Sequence, residues 1–159
     1  MTENGVTQWG LPADYLTHRP PLLIMERIVD IAAESVTCEV STAGNCLKPF
    51  LNADGTLPSW YGVELMAQTV GVWAGRRDRD AGRDTPQVGL ILSVRGYSSA
   101  AETFPCDTTL RITMHLLMQE GLLASFEGTI SIHDLPVAEG RLSLAEVSGT
   151  GENLWGPQE

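Results

Sequence analysis

Positive charge is scarce in this sequence. It contains a single lysine, Lys48, and its ten Lys and Arg residues stand against twenty Asp and Glu, so the net charge at pH 7 is −10. A chain with this charge repels nucleic acid phosphates and anionic lipid headgroups at long range. The composition therefore excludes nucleic acids and membrane surfaces as general partners, and an anionic ligand would need a local group of basic residues.

Cysteine and long apolar runs are also scarce. Cys38, Cys46 and Cys106 are widely spaced and form no C-x-x-C pair, which favours reduced thiols over a disulfide framework. The beginning, MTENGVTQWG, lacks the basic and then apolar order of a secretory signal. The longest apolar run, residues 62–75, is too short to cross a bilayer. We therefore expect a cytoplasmic protein without a membrane span.

The length and composition predict one packed domain. Hydrophobic residues make up 43% of the 159 residues, which is enough for a substantial core. The ends, residues 1–10 and 149–159, are rich in glycine and polar residues and are predicted to be flexible, which leaves a single domain over residues 11–148. No pair of His, Cys or acidic residues has metal-ligand spacing, and no glycine-rich phosphate loop precedes a helix, so we predict no metal site.

Hydrophobic periodicity predicts two strands, one helix and four further strands. The first strands are predicted within residues 22–31 and 35–43, and the helix from Pro58, a favourable first helical residue, to Arg79. The later strands are VGLILSVRGYSSA, TTLRITMHLLMQE, LLASFEGTISIHD and PVAEGRLSLAEV, whose short links predict antiparallel hairpins. Because no second helix is available, the sheet must cover the helix.

Small residues in the helix indicate how closely the sheet covers it. A glycine in a helix interior costs roughly 0.5–1 kcal/mol relative to alanine, so each one needs a packing reason. The small residues are Gly62, Ala67, Gly71, Ala74 and Gly75. Close approach by a surrounding sheet is such a reason. We therefore predict an α+β hotdog fold, in which a curved antiparallel sheet wraps one long central helix.

Glu64 is the one ionisable side chain within residues 62–75. Burial penalises the charged form of a carboxyl group, so the pKa of Glu64 is predicted to rise towards neutrality, where the group could act as a general acid or base. Gln68 lies one turn later on the same helix face. The alternative is a structural carboxylate that Gln68 and a partner subunit satisfy.

Three stretches, in the correct order, resemble the hotdog-fold β-hydroxyacyl-[acyl-carrier-protein] dehydratases. They are the opening LTHRPPLLIMERIVDI, the helix text LPSWYGVELMAQTVG and the closing hairpin FEGTISIHDLPVAEGRLSL. The text LNADGTLPSWYGVELMAQTVGVW is most similar to a bacterial branch associated with aryl-polyene pigment synthesis. The resemblance implies a dimer that dehydrates 3-hydroxyacyl chains on an acyl carrier protein. It implies no cofactor, and 4′-phosphopantetheine only as the carrier arm of the substrate.

The resemblance carries over residue by residue, with one departure. The family's helix acid and the glutamine after it match Glu64 and Gln68. The glycine whose N–H polarises the thioester carbonyl matches Ser59, which can still supply an N–H at a helix start. The position of the catalytic histidine is Phe50, and phenylalanine cannot carry a proton. The ordinary dehydratase mechanism therefore lacks one of its groups.

Several residues are candidates for the missing role and for binding. We predict that His18 replaces the second proton carrier, with Asn52 or Asp54 as alternatives and a turn or packing role as the other interpretation of His18. His115 is expected to face solvent and His133 to lie in a turn. Contacts with the substrate or with an acidic carrier protein are expected from a wider set, although each of these residues also has an ordinary packing or surface interpretation. The substrate set is Ser59, Gln68, Phe50, Asn52 and Trp60, and the carrier set is Lys48, Arg76 and Arg77.

Three functions fit these observations. The first is dehydration of carrier-bound 3-hydroxyacyl thioesters in polyene or fatty-acid-like synthesis, with Glu64 as acid or base. The second, which Phe50 favours, is a non-catalytic or half-catalytic subunit that pairs with a complete dehydratase as a heterodimer. The third is a hotdog thioesterase, in which the helix acid activates water or attacks the thioester.

Overall fold

The structure, a computed structural model, describes residues 8–83 and 88–147. The predicted flexible ends therefore lie largely outside the described residues. No helix in the described ranges is long and apolar enough to span a membrane, and the three cysteines are free thiols.

The elements are β1 Arg27–Ile31, β2 Ser35–Ser41, β3 Leu57–Pro58, α1 Tyr61–Asp80, β4 Val88–Ser99, β5 Thr103–Phe104, β6 Thr109–Glu120, β7 Leu123–Ile132 and β8 Leu135–Val147, with 3-10 turns at Pro12–Asp14 and Lys48–Phe50.

Six strands form one antiparallel sheet in the order β1-β2-β6-β7-β8-β4, and β3 pairs with β5 separately. The β7–β8 hairpin closes over a two-residue loop, His133 and Asp134, whose φ angles are 49° and 65°. Two positive φ angles in succession match the right-handed twist of the flanking strands, and aspartate tolerates this conformation. His133 therefore lies in the turn predicted for it.

Helix α1 packs into the concave face of this sheet. The helix buries Leu65, Met66 and Val70, which join sheet residues such as Ile112 and Phe126 in one core. Polar residues alternate with these apolar ones along β6 and face outward, and the exposed His115 is among them. One helix wrapped by a curved antiparallel sheet confirms the predicted hotdog fold.

Two element boundaries differ from the prediction. The helix begins at Tyr61 and not at Pro58, because Pro58 is a strand residue opposite Thr103. Strand β1 begins at Arg27, five residues later than predicted, because the chain at Leu22 and Ile24 bonds to Gln68 of the helix. There the N–H of Ile24 donates to the side chain of Gln68. Apolar text alone does not distinguish a strand from an extended segment of this kind.

A leader segment, residues 9–18, lies across α1 before the first strand. A Cβ at position 71 would lie 2.5 Å from Leu16 Cδ2, and one at position 75 would lie 2.8 Å from Tyr15 Cβ and closer still to the Tyr15 carbonyl oxygen. The small residues of the helix therefore admit this segment as well as the sheet. The hydroxyl of Tyr15 donates to the carbonyl of Trp9 at 2.6 Å, which anchors the start of the segment.

Strand β4 is an edge of the sheet and carries an apolar surface. It pairs with β8 along one side, and its other side has no partner strand in the described chain. Four of its large apolar side chains are exposed, namely Leu90, Ile91, Leu92 and Val94. A long apolar edge strand of this kind is a template for pairing with another chain.

Candidate active site

The leader segment brings His18 to Glu64. His18 Nε2 lies 3.5 Å from Glu64 Oε1, and the side chains are 36% and 43% exposed. The other ring nitrogen, Nδ1, is buried without a hydrogen-bond partner in the described ranges. When neutral His18 carries its proton on Nε2, the buried Nδ1 has no hydrogen that would lack an acceptor. The Nε2–H then points at the Glu64 carboxylate. The histidine predicted to work beside Glu64 does lie within its reach, and its catalytic role remains a prediction.

Gln68 links the Glu64 carboxylate to the chain that precedes β1. Its Nε2 donates to Glu64 Oε1 at 3.0 Å and to the carbonyl of Leu22 at 2.8 Å. Its Oε1 accepts from the N–H of Ile24 at 3.0 Å. Gln68 is almost fully buried, and these bonds satisfy its amide on both sides. The helix and the chain before β1 are thereby locked in register around Glu64.

The pKa of Glu64 is lowered, which corrects the prediction from the sequence. Partial burial acts to raise the pKa, but the hydrogen bonds that the carboxylate accepts from His18 and Gln68 outweigh it, and His18 adds an attraction when it is protonated. Its place in the first turn of α1 also favours the charged form, because the positive end of the helix dipole lies there. Glu64 is therefore ionised at neutral pH and suited to accept a proton.

Glu64 and His18 stand at one end of a cavity of about 140 Å³ between α1 and the sheet. The helix contributes small residues to its wall, including Ala67, Gly71 and Ala74, and Trp73 and Phe126 pack edge to face beside them. A mostly apolar cavity with a few polar groups at its end is the usual form of a small-molecule site. The arrangement can hold an apolar chain and place its end near a proton carrier.

A second carboxyl group, Glu146, lines the same cavity from β8. Its pKa is raised to about 7, first by partial burial, then by a side-chain hydrogen bond with Asp78 and by the charge of that residue, although Arg83 and Arg77 act in the opposite direction. Asp78 is itself buried and accepts a hydrogen bond of 2.8 Å from Arg83. Glu146 therefore exchanges its proton near neutral pH.

The raised pKa of Glu146 predicts a pH-dependent stability. The folded state holds this proton up to about pH 7, whereas the unfolded chain loses it near pH 4.5. The contribution of Glu146 to the stability of the folded state is therefore complete below pH 4.5 and is lost as the pH rises through 7. Glu146→Gln should remove this dependence, so the variant should gain on the order of 2 kcal/mol over the wild type between pH 5 and pH 8. Urea unfolding across that range measures the difference. Glu139→Gln, an exposed position on the same strand, is the control, and a constant gap between wild type and Glu146→Gln would contradict the prediction.

Ser59 is not the free donor that the sequence predicted. Its N–H donates to the carbonyl of Glu102 at 2.9 Å, and its own carbonyl accepts from the Tyr97 hydroxyl and from the N–H of Gly62. The reason is the later start of the helix, which leaves Ser59 in the short β3–β5 pairing region. In the described chain, the N–H groups without an acceptor at the helix start are those of Trp60 and Tyr61.

Other predicted substrate residues lie outside this cavity. Phe50 packs against Tyr61 with their ring centroids 5.3 Å apart, and Trp60 is 68% exposed on the outer side of the helix start. Asn52 and Asp54 are exposed and bond to Thr56 within their own loop, which lowers the pKa of Asp54. Within one chain, neither alternative proton carrier joins Glu64 and His18.

The predicted carrier-protein contacts are dispersed. Lys48 is exposed in the turn that ends at Phe50. Arg76 pairs with Asp80 at 3.2 Å and stacks over Trp9, and Arg77 stacks over Trp73 and donates to Gln119. The two arginines therefore have contacts within the chain already, and their role towards a carrier protein stays a prediction.

Sequence reasoning missed the pair of carboxyl groups formed by Asp78 and Glu146, of which Glu146 lines the cavity. Asp78 and Glu146 are 68 residues apart in the sequence, and no motif links them. A signal was present in β8, because Glu146 continues the alternation of inward-facing Leu142 and Leu144. No three His, Cys, Asp or Glu side chains in the described ranges are grouped as metal ligands.

Comparisons with known proteins agree on one family. Residues 11–154 match the family model of ApeP-like proteins, described as ApeP dehydratase. A curated relative, the 3-hydroxyacyl-[acyl-carrier-protein] dehydratase FabZ of Methylobacterium radiotolerans, is 28% identical over 150 residues, which cover 92% of this chain and 94% of that protein. A chain of the dehydratase heterocomplex ApeI:P from Xenorhabdus doucetiae is 32% identical, with a TM-score of 0.83 over 87% of this chain and 91% of that one. A hypothetical thioesterase from Streptococcus pneumoniae is 14% identical, with a TM-score of 0.57 over 77% of this chain and 85% of its own, and shares the fold alone.

Proposed function

Because this chain belongs to the ApeP-like dehydratase family, we propose that it supplies the Glu64 half of a site that dehydrates 3-hydroxyacyl thioesters, and that a second hotdog subunit completes the site. One observation carries the proposal. Glu64 stands with His18 at the end of an apolar cavity, whereas the family's histidine position is Phe50, which packs against Tyr61 away from that cavity. One proton carrier is in place, and the other must come from elsewhere.

Glu64 accepts the α-proton in this mechanism. Dehydration breaks the Cα–H and Cβ–O bonds, moves one proton to a base and supplies another to the departing hydroxyl, which leaves as water. The carboxylate is ionised at neutral pH, and Gln68 and His18 orient it. The charge that develops on the thioester oxygen needs N–H donors, and the open amides of Trp60 and Tyr61 at the helix start are the available ones. The second subunit supplies the acid that protonates the leaving hydroxyl.

Two observations support a second subunit. Among the described residues, strand β4 has one edge without a partner strand and four exposed apolar side chains, which continuation of the sheet into another chain would cover. The 32% identical relative of known structure is a chain of the dehydratase heterocomplex ApeI:P. The partner of this chain is accordingly a second hotdog dehydratase subunit. The substrate is an acyl chain on the phosphopantetheine arm of an acyl carrier protein. The exposed Lys48 is the basic residue that contacts this carrier.

The test is reconstitution. The chain is purified alone and after co-expression with a second hotdog dehydratase subunit of its source organism, and enoyl product from a 3-hydroxyacyl-carrier thioester is measured by mass spectrometry. We expect a stable complex and turnover at least tenfold above that of the same partner alone. A partner whose turnover is unchanged by this chain, or failure to form a complex, would overturn the proposal.

A self-sufficient enzyme is the second candidate, and the distance of 3.5 Å between His18 and Glu64 favours it. In that case His18 is the second proton carrier, and the chain alone turns over the same substrate. The reconstitution assay separates the two candidates, because the self-sufficient enzyme needs no partner. Release of free thiol without enoyl product would instead identify a thioesterase.

A further inference from the structure

A bulge in β4 turns Tyr97 towards the helix. Two residues of β4, Gly96 and Tyr97, stand opposite the single Gly140 of β8. Gly96 has a φ angle of 60°, the left-handed conformation typical of the first residue in such a bulge. Regular alternation would place Tyr97 on the outer face of the sheet, as it does Arg95. The extra residue brings Tyr97 to the inner face instead.

Two glycines leave room for the Tyr97 side chain. A Cβ at position 62, in the first turn of α1, would overlap the Tyr97 hydroxyl. A Cβ at position 140 would lie 3.1 Å from Tyr97 Cδ2. Glycine is unfavourable in helices and strands on propensity alone, so both positions have a packing reason here. The bulge and the two glycines together direct this side chain at the helix start.

The Tyr97 hydroxyl donates to the carbonyl of Ser59, just before the helix. The same carbonyl accepts from the N–H of Gly62 at 3.0 Å, and the N–H of Ser59 donates to Glu102 at 2.9 Å. Burial raises the pKa of Tyr97 to about 12, so the hydroxyl keeps its proton and remains a donor at neutral pH. Ser59 is therefore held from β4, from the helix and from the chain beside β5.

The Ser59 carbonyl and the Trp60 N–H belong to one peptide group. A peptide group is planar, and in its trans form the C=O and N–H point in opposite directions. A donor that holds the Ser59 oxygen therefore also fixes the direction of the Trp60 N–H. That N–H has no acceptor among the described residues. A hydrogen bond to the carbonyl polarises the whole peptide group, which makes its N–H a stronger donor.

We propose that Tyr97 is a positioning residue for dehydration, which orients the Trp60 N–H towards the thioester oxygen through the carbonyl of Ser59. This inference rests on the proposed function, since it takes that N–H as a donor to the charge that develops on the thioester. Without the hydroxyl, the peptide plane can tilt and the donor moves. A displacement of about 1 Å at a reacting centre can cost on the order of 10²-fold in rate.

Tyr97→Phe tests this role, because it keeps the ring and removes only the hydroxyl. In whichever form the wild type dehydrates a 3-hydroxyacyl-carrier thioester, kcat should fall about 10–100-fold, while KM should change less than about twofold. The loss should be equal at about pH 6 and pH 9, since Tyr97 orients a donor and transfers no proton. A kcat within about threefold of the wild type, or a loss that varies with pH, would contradict the inference.

Two further variants assign the effect. Thr113→Val removes a half-buried hydroxyl that bonds to Thr37 at 3.2 Å on the outer face of the sheet, and it should keep the wild-type kcat. Gly96→Ala strains the bulge that places Tyr97, so it should lower kcat in the wild type but add little in the Tyr97→Phe background. Equal effects of Gly96→Ala in both backgrounds would show that the bulge does not act through Tyr97.

Infrared spectroscopy makes the result independent of turnover. The probe is the N-acetylcysteamine thioester of octanoate, labelled with a heavy carbon isotope at the thioester carbonyl, which lacks a 3-hydroxyl group and cannot lose water. A hydrogen bond from the Trp60 N–H weakens the C=O bond, so the bound carbonyl band should lie at higher frequency in Tyr97→Phe than in the wild type and in Thr113→Val. Identical bands, or no bound thioester, would refute the inference. A band shift without any dehydration activity would contradict the proposed function alone.

Discussion

Glu64→Gln should reduce water loss from a 3-hydroxyacyl-carrier thioester by about 10²–10⁴-fold, the range expected when a positioned proton carrier is lost. Glutamine has nearly the same shape and can still bond to Gln68, but it cannot accept the α-proton. Stability should change little, because Glu64 is 43% exposed and its hydrogen bonds are largely replaceable. The measurement is the rate of enoyl formation in whichever form, alone or in complex, the wild type is active.

Glu34→Gln is the matched control, because Glu34 is an exposed acid whose side chain has no hydrogen bond or ion pair in the described part of the chain. It should keep the wild-type rate. Circular dichroism and complex formation of Glu64→Gln should match those of the wild type. If Glu64→Gln kept more than a tenth of the wild-type rate, Glu64 would be a structural carboxylate and the proposed chemistry would be wrong.

Gly75→Ala should destabilise the fold by about 1–2 kcal/mol. The added Cβ would meet the Tyr15 carbonyl oxygen and lie 2.8 Å from Tyr15 Cβ, so the leader segment itself must move. Overpacking of this kind costs typically 1–3 kcal/mol, and the better helix propensity of alanine offsets roughly 0.5–1 kcal/mol of it. Since the same segment carries His18, catalysis by Glu64 should suffer as well. Urea denaturation gives the change in unfolding free energy.

Gly71→Ala, one turn earlier on the same helix, provides the comparison. Its Cβ would meet only the end of the Leu16 side chain, at 2.5 Å, and a leucine methyl group can rotate away. This variant should lie within about 0.5 kcal/mol of the wild type, because the gain in helix propensity compensates the small rearrangement. Equal stabilities of the two variants would show that the leader segment does not pack closely against Gly75.

The architecture was predictable because its signals are local. The alternation in β6, the two-residue link at His133 and the small residues of α1 each specify an element or a close packing without reference to distant residues. The boundaries were less predictable. Pro58 suits a helix start as well as a strand end, and its pairing with Thr103, 45 residues later, decides between them. Such a choice depends on tertiary contacts that no local pattern contains.

The site was predictable only in part, for the same reason. The resemblance identified Glu64, Gln68 and His18, and the structure brings these three together. The direction of the Glu64 pKa shift was wrong, because burial could be inferred from the apolar sequence but the donors around the carboxylate could not. Glu146 was missed altogether, since its environment depends on Asp78 and Arg83 from elements that meet only in the folded chain.

If the second subunit proposed above covers β4, whose outer edge has no partner strand among the described residues, the supply of that subunit affects the stability of this chain. Any molecule that binds the folded form alone adds RT ln(1 + [L]/Kd) to its stability, so a subunit that covers Leu90, Ile91 and their neighbours raises stability in proportion to the logarithm of its concentration. Copies made in excess of the partner keep an uncovered apolar strand, which favours aggregation and recruits quality control. Under the proposed pairing, mass action at this strand would favour similar amounts of the two subunits, without any regulator of their synthesis.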